Sequence, residues 1–468
     1  MAEHILFLTG KLAENSLHRV LESIQPALFS YEVRNIGINV AGLMTADMVH
    51  RRVTDIGPAT RMIVPGRCRG DIQSLAKQFG ITVERGPEEL KDLPEFFGKK
   101  SKRRDLSEHD VNIFAEIVDA TQLDIPTILK RAERYRRDGA DVIDLGCLPD
   151  TPFPHLEGAI VSLKSAGFRV SVDSINPDEL LRGGKAGADY LLSLKEDTLW
   201  IAEEVASVPI LIPNQSGDIE SLYRAIDSLV QKNKAFIADA ILDPIHFGLT
   251  KSIVRYHDLR ARYPAAEIMM GVGNLTELTD ADTSGVNAIL FGIISELHIG
   301  AILTTEVSPH ARRAVREADA ARRMMFAARD DMSLPKDYSS ALLTTHERKP
   351  FPDSEQEIRS IAAAIKDPSF RVQVSDSGIH VYNRDGFHTA DDPFSLFPEL
   401  NVEQDGSHAF YLGVELARAQ IAWQLGKRYT QDQELNWGVA TERQQEDQSA
   451  YHAMDTTLQA KKKQERSE

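Results

Sequence analysis

Cysteine is almost missing from this chain: only Cys68 and Cys147 occur in 468 residues. A disulfide framework is therefore not expected, and no Cys/His cluster has the spacing of a zinc site. Long apolar runs are missing too. None approaches the ~20 residues that a membrane-spanning helix needs. Met1-Ala2-Glu3-His4 opens directly into an apolar run. It lacks the basic segment and long apolar core of a signal peptide, so none is expected. Positive charge is in deficit. A net charge of −16 argues against nonspecific nucleic-acid binding, because phosphate contacts need cationic patches. A composition of 42% hydrophobic and 26% charged residues is that of a globular chain. Its length allows two or three domains. These bounds fit a cytoplasmic enzyme with neither a membrane nor a nucleic-acid partner.

From Val111 to about Asp330, short apolar runs alternate with amphipathic helical patterns. Eight runs are expected as strands, near 111–118, 141–145, 168–173, 188–193, 208–213, 235–242, 266–271 and 286–291. Helical patterns lie between them, among them Pro126–Arg137, Asp178–Ala186, Ile219–Gln231 and Lys251–Arg262. Continuous apolar runs flanked by helices read as parallel strands buried on both faces. Eight such units predict an α/β fold with a central (β/α)8 TIM barrel; an open doubly wound sheet is the rival.

Chemistry in such a barrel sits where each strand meets the following loop. Those ends carry Glu116 and Asp119, Asp144, Asp173, Ser193 with Lys195, Asn214 with Gln215, Asp243, and Asn274. Clustered carboxylates repel one another unless a ligand supplies N–H donors, a cation or a proton. Asp or Asn just after a strand is also a favoured helix cap.

Several segments carry a resemblance. They are Asp141-Val142-Ile143-Asp144-Leu145-Gly146, Val170-Ser171-Val172-Asp173-Ser174-Ile175-Asn176-Pro177, Ala186-Gly187-Ala188-Asp189-Tyr190, and Ile241-Leu242-Asp243-Pro244 followed by Phe247-Gly248. In order and spacing they resemble dihydropteroate synthase. The whole chain resembles more closely the dihydropteroate synthase-related proteins of methanogens and methylotrophs. Gly271-Val272-Gly273-Asn274-Leu275-Thr276-Glu277-Leu278 continuing to Asp282 is similar to a signature of that group. The resemblance implies a pterin pocket. Asp243 would accept hydrogen bonds from the 2-amino-4-oxo edge, and Asp173 would offset charge at the pterin methylene. Asp144 and Glu116 would line the same mouth.

The departures from ordinary dihydropteroate synthases are specific. Leu192, beside Ser193, stands where they carry an Asn; Asn274-Leu275 stands for an Arg-Lys pair; Thr304-Thr305-Glu306 stands for an Arg and a His. Those cations normally hold the diphosphate leaving group. Replacement anion ligands are sought among Lys251, Arg255, Lys195, His246 and the Ser308–Arg313 segment.

The expected activity is a dihydropteroate synthase-like transferase. It would join a pterin methyl diphosphate to an anionic aniline-type acceptor, ribofuranosylaminobenzene phosphate, in tetrahydromethanopterin or folate-like cofactor biosynthesis. A pterin-binding methyltransferase and a noncatalytic pterin-binding protein are the alternatives. No cofactor is implied with certainty. Mg2+ on the substrate diphosphate stays open, with Glu116, Asp119 or Asn274 as ligands. The resemblance also implies a homodimer.

Alternating strands and helices predict a Rossmann-like α/β domain over 1–100, before the barrel at 108–330. Thr9-Gly10-Lys11 and the Pro65–Asp71 loop, with Arg67 and Arg69, are its candidate anion sites. One of them is expected to meet the phosphate of an extended substrate. The basic run 99–104 reads as a solvated linker. A small α+β domain is expected over 340–440, with a hairpin through Phe370–Val374 and Ile379–Tyr382 and a helix from Val414 to Gly426. Its His408 and Tyr411 are possible ligand contacts, with structural roles as the alternative. Residues 441–468 read as a polar tail.

Overall fold

The computed structural model describes residues 3–24, 29–87, 90–97 and 105–442. The basic linker expected at 99–104 and the tail beyond residue 442 fall outside them. The chain divides into two compact units. One comprises residues 104–344 with 438–441; the other joins the segments before and after it.

In the second of these units, β1 (Glu3–Thr9), β2 (Phe29–Asn35), β3 (Arg61–Val64) and β4 (Thr82–Arg85) form a parallel sheet of order β2-β1-β3-β4. The carboxyl-terminal part of the same unit is described below. The strand at Thr82–Arg85 was not expected from its sequence.

The other unit is a closed barrel. Its strands are β5 (Asn112–Ile117), β6 (Val142–Gly146), β7 (Arg169–Asp173), β8 (Tyr190–Leu194), β9 (Val208–Leu211), β10 (Ile237–Asp239), β11 (Glu267–Gly271) and β12 (Ala301–Thr304). They close in the order β10-β11-β12-β5-β6-β7-β8-β9, all pairs parallel. This is the (β/α)8 barrel the sequence predicts. One strand needs correction. Residues 286–291 belong to the helix Thr283–Glu296, and the eighth strand is Ala301–Thr304. A short apolar run has no periodicity that separates a buried strand from a buried helix.

Local chemistry explains the alternation. The helix Ile125–Asp138 starts where Asp124 accepts from the Thr127 amide at 3.0 Å, carries Pro in its first turn, and stops at Gly139 with φ 109°. Asn176 caps the helix Pro177–Lys185 in the same manner. Strand periodicity then sorts the core into two layers. Ile113, Ala115, Ile117, Val170 and Val172 pack outward under the helices. Phe114, Val142, Leu192, Ile210, Ile237 and Met269 fill the barrel interior. Two residues beyond Phe114, Val142 and Ile237 stand Glu116, Asp144 and Asp239. With a period of two, each shares the inward face of its strand and sits one layer nearer the carboxyl end.

In the carboxyl-terminal segment, β13 (Arg371–Ser375), β14 (Gly378–Tyr382) and β15 (Phe387–Ala390) make an antiparallel sheet. The helix over Gly406–Leu425 packs its Leu412, Leu416 and Ala419 on that sheet. It begins eight residues earlier than its apolar stripe suggests, because Asp405 caps it by accepting from the His408 amide. The segments on either side of the barrel meet: Leu12 packs with Ile358 and Tyr382, and Arg428 pairs with Asp92 at 3.1 Å. Arg67 donates to the Gln431 carbonyl, and the Tyr411 hydroxyl donates to Asp432. Among the described residues, no helix is long and apolar enough to cross a membrane.

Candidate active site

Strand register brings three acids together. Glu116 pairs with Asp144 across β5 and β6, and Gly146 pairs with Asp173 across β6 and β7. One oxygen from each of Glu116, Asp144 and Asp173 lies within 4.8 Å of the others. Gly146 makes room for this: a Cβ there would fall 2.5 Å from Glu116 Oε1. Asp144 is 0% exposed, and neither of its oxygens has a hydrogen-bond partner.

Such crowding changes the acidity of all three. Burial raises the Asp144 carboxyl well above the ordinary carboxylate range, and the charges of Asp173 and Glu116 raise it further, against a smaller pull from the facing Ser171 hydroxyl. Burial, then Asp173, lifts Glu116 to about 8. Burial also raises Asp173, against the pull of the Ser193 hydroxyl, which donates to Asp173 Oδ1 at 2.6 Å. At neutral pH the cluster therefore holds protons, a cation, or N–H donors of a ligand.

Ser193 reaches Asp173 by an irregular route. The pairing of β8 with β9 shifts register between Leu191 and Leu194, and Ser193 has φ 76°. A bulge of this kind re-aims one side chain, and a non-glycine residue in left-handed backbone carries strain.

A second group forms after β10. Asp243 accepts from Ser216 Oγ at 2.8 Å on one oxygen and from Arg255 Nη2 at 2.7 Å on the other. Arg255 also donates to the carbonyls of Ala240 and Ile241, so it holds the loop and is not a free anion ligand. Gly248 has φ 133°, and a Cβ there would lie 2.8 Å from Asp243 Oδ2. Asn274 Nδ2 donates to the Leu242 carbonyl of the same loop at 2.7 Å.

The other predicted residues are placed apart. Asp119 pairs with Arg131 on the following helix. Asn214 sits after β9; its amide donates to Ser221 Oγ, and its Oδ1 is buried without a partner. Lys251 and His246 are exposed, and Lys195 is half-buried. Thr305 donates to Glu277, and buried Glu306 pairs with Arg134 at 2.7 Å.

Asp239 escaped the sequence reading. It is buried, accepts from the Ile241 amide at 2.7 Å and from the Tyr256 hydroxyl, and is pushed up to about 6 by burial. The expected strand ran on to residue 242, which left Asp239 in its middle; β10 ends at Asp239. The available signal was the charge itself. A carboxylate within a strand covered on its outer face by helices must point into the barrel.

The loops after β7 and β10 add exposed apolar side chains, Ile175, Ile245 and Phe247, the last 83% exposed.

Comparison with known proteins adds three findings. Residues 3–88 match a family of unknown function (DUF6513). The uncharacterized protein MJ0107 of Methanocaldococcus jannaschii is 25% identical over 529 residues, spanning 92% of this chain and 98% of that protein. Among solved structures, the 7,8-dihydropteroate synthase of Vibrio fischeri covers 49% of this chain and 97% of its own, at 15% identity and TM-score 0.38. A Yersinia pestis dihydropteroate synthase covers 49% and 96%, at 13% identity and TM-score 0.39. Scores this low carry no argument, and the barrel rests on its own strand pairing.

Proposed function

We propose that the barrel mouth binds a reduced pterin methyl diphosphate through Asp243 and Asp173 and joins its methylene carbon to an aniline-type acceptor. The observation that carries this reading is how Asp243 is held. Ser216 and Arg255 each engage one oxygen, which fixes the carboxylate while each oxygen keeps a lone pair for a further donor. The 2-amino-4-oxo edge of a pterin offers adjacent N–H donors, the match for a bidentate acceptor. Exposed Ile175, Ile245 and Phe247 suit the apolar face of a flat ring.

In the transfer, the C–O bond of the pterin methyl diphosphate breaks and its electron pair leaves on diphosphate. The acceptor nitrogen forms the new C–N bond and releases a proton. Asp173, held by Ser193, offsets the positive charge developing at the methylene carbon. The choice of ribofuranosylaminobenzene phosphate as acceptor, and with it the tetrahydromethanopterin pathway, rests on the sequence resemblance.

One observation favours a second reading. Asn274 and Thr305 are each committed to a neighbouring loop, and Glu306 adds a buried acid. Methyl transfer from a methylated pterin needs no diphosphate site and tolerates this arrangement.

Calorimetric titration of the wild-type chain separates the readings. Binding of pterin methyl diphosphate roughly tenfold or more tighter than plain pterin, a gain of about 1.4 kcal/mol, with diphosphate released on adding acceptor, is the expected result. Equal binding moves methyl transfer to the front. If neither compound binds, the pterin reading fails. Asp243→Asn, which replaces an acceptor by a mixed donor, should weaken pterin binding by at least about tenfold.

A further inference from the structure

The pterin reading places Asp144 in the wall of the mouth, and its surroundings are unlike those of other acids in the barrel. Asp138 pairs with Arg316, and Glu179 accepts from Ser174. Asp239 accepts from Tyr256, Asp243 from Arg255, and Glu317 from Asn287. Each of these buried carboxylates has a protein donor. Asp144, among the described residues, has none on either oxygen. Nor does Glu116, Asp144 or Asp173 form an ion pair with any described Lys, Arg or His.

A second observation, separate from the acids, comes from Ser171. It lies directly opposite Asp144 in the β6–β7 register and two residues before Asp173, on the same inward face. Ser171 is 0% exposed; its hydroxyl faces Asp144 closely enough to lower that acid's pKa, yet its Oγ makes no hydrogen bond of ordinary geometry. Buried hydroxyls and carboxylates are rarely left unsatisfied, and a neighbouring group of them points to something absent from the protein itself.

Size and ligand type narrow what that is. Oxygens on opposite sides of a hard cation, each about 2.0–2.4 Å from it, stand roughly 4–5 Å apart. The mutual limit of 4.8 Å between the carboxylate oxygens is the span of one such coordination sphere. An all-oxygen set without thiolate or imidazole suits a hard cation such as Mg2+, Ca2+ or Mn2+.

We infer that Glu116, Asp144 and Asp173, with the Ser171 hydroxyl, form a binding site for one hard divalent cation at the inner end of the barrel mouth. The inference concerns the cation alone and does not depend on the pterin reading.

The test uses the full chain with no pterin present, titrated with MnCl2 while free Mn2+ is followed by electron paramagnetic resonance. One Mn2+ per chain is expected, with a dissociation constant below about 100 µM, inside the range of carboxylate cation sites. Added Mg2+ should displace it. Asp144→Asn and Glu116→Gln should each weaken binding at least about tenfold, a loss of roughly 1.4 kcal/mol, with the circular dichroism of the folded chain retained. Ser171→Ala should weaken it less. No Mn2+ bound at millimolar concentration would overturn the inference and leave the carboxylates sharing protons. Tight binding that survives both carboxylate variants overturns it too, since the ion then sits elsewhere.

Discussion

Asp144→Asn should make the metal-free protein more stable. The wild-type carboxyl is fully buried and accepts no hydrogen bond, so folding must either desolvate a charge or protonate it. The amide is nearly isosteric and carries no charge. An uncompensated buried polar group costs roughly 1–3 kcal/mol, so a gain of that order is expected, and each kcal/mol moves the melting point by about 2–4 °C in a unit of this size.

The pH dependence has a definite sign. Burial and neighbouring acids raise Asp144 and Glu116 above their unfolded values, Glu116 to about 8. The folded chain therefore holds protons that the unfolded chain has released. The contribution of these groups is fully present below the ordinary carboxylate range, near pH 4, and is lost as pH rises toward the folded values. The advantage of Asp144→Asn should be small at pH 4 and grow toward pH 8. Thermal unfolding of both proteins in EDTA across that range measures it. A variant that melts below wild type at pH 8 would mean that Asp144 has a donor in the folded chain, and the account of the cluster would be wrong.

Arg255→Ala should act in the opposite direction and strongly. Its guanidinium is largely buried and spans Asp243 and the carbonyls of Ala240 and Ile241. Ile241 lies at φ 63°, a conformation that costs an L-residue roughly 1–2 kcal/mol and is rare for a β-branched side chain. The Asp239 carboxylate fixes its amide from one side while Arg255 fixes its carbonyl from the other. Removing Arg255 leaves Asp243 buried with half its partners and frees the strained turn. Breaking a buried pair in this way costs about 3–5 kcal/mol. Arg255→Lys should recover only part of that, because an ammonium cannot span three acceptors as a planar fork does. Denaturant midpoints of the single variants and of Arg255→Ala with Asp243→Ala give the coupling. The double variant should be less destabilised than the sum of the singles, since no carboxylate is then stranded. An Arg255→Ala protein within about 0.5 kcal/mol of wild type, the usual range of surface substitutions, would exclude the clamp.

Much of this architecture was legible because it is local. Asp124, Pro126 and Gly139 bound a helix wherever they occur in this spacing. Seven of the eight barrel strands fall on apolar runs between such signals. The inward turn of Glu116 and Asp144 follows from a period of two counted from Phe114 and Val142. The strand at Ala301–Thr304 was missed because an apolar helix, Thr283–Glu296, offered a longer run than the true strand.

Which acids share a space was a different matter. Asp119 lies only three residues beyond Glu116 yet turns to Arg131, whereas Asp144 and Asp173 reach Glu116 through strand register. Asp239 and Asp243 are four residues apart and serve different partners, Tyr256 and Arg255. The aim of Ser193 depends on a register shift between β8 and β9. The sequence by itself determined the elements, their order and the inward face of each strand, because capping, turns and periodicity act over a few residues. The tertiary structure alone decided the carboxylate cluster and the Arg255 clamp, because barrel closure sets distances between side chains that lie tens of residues apart.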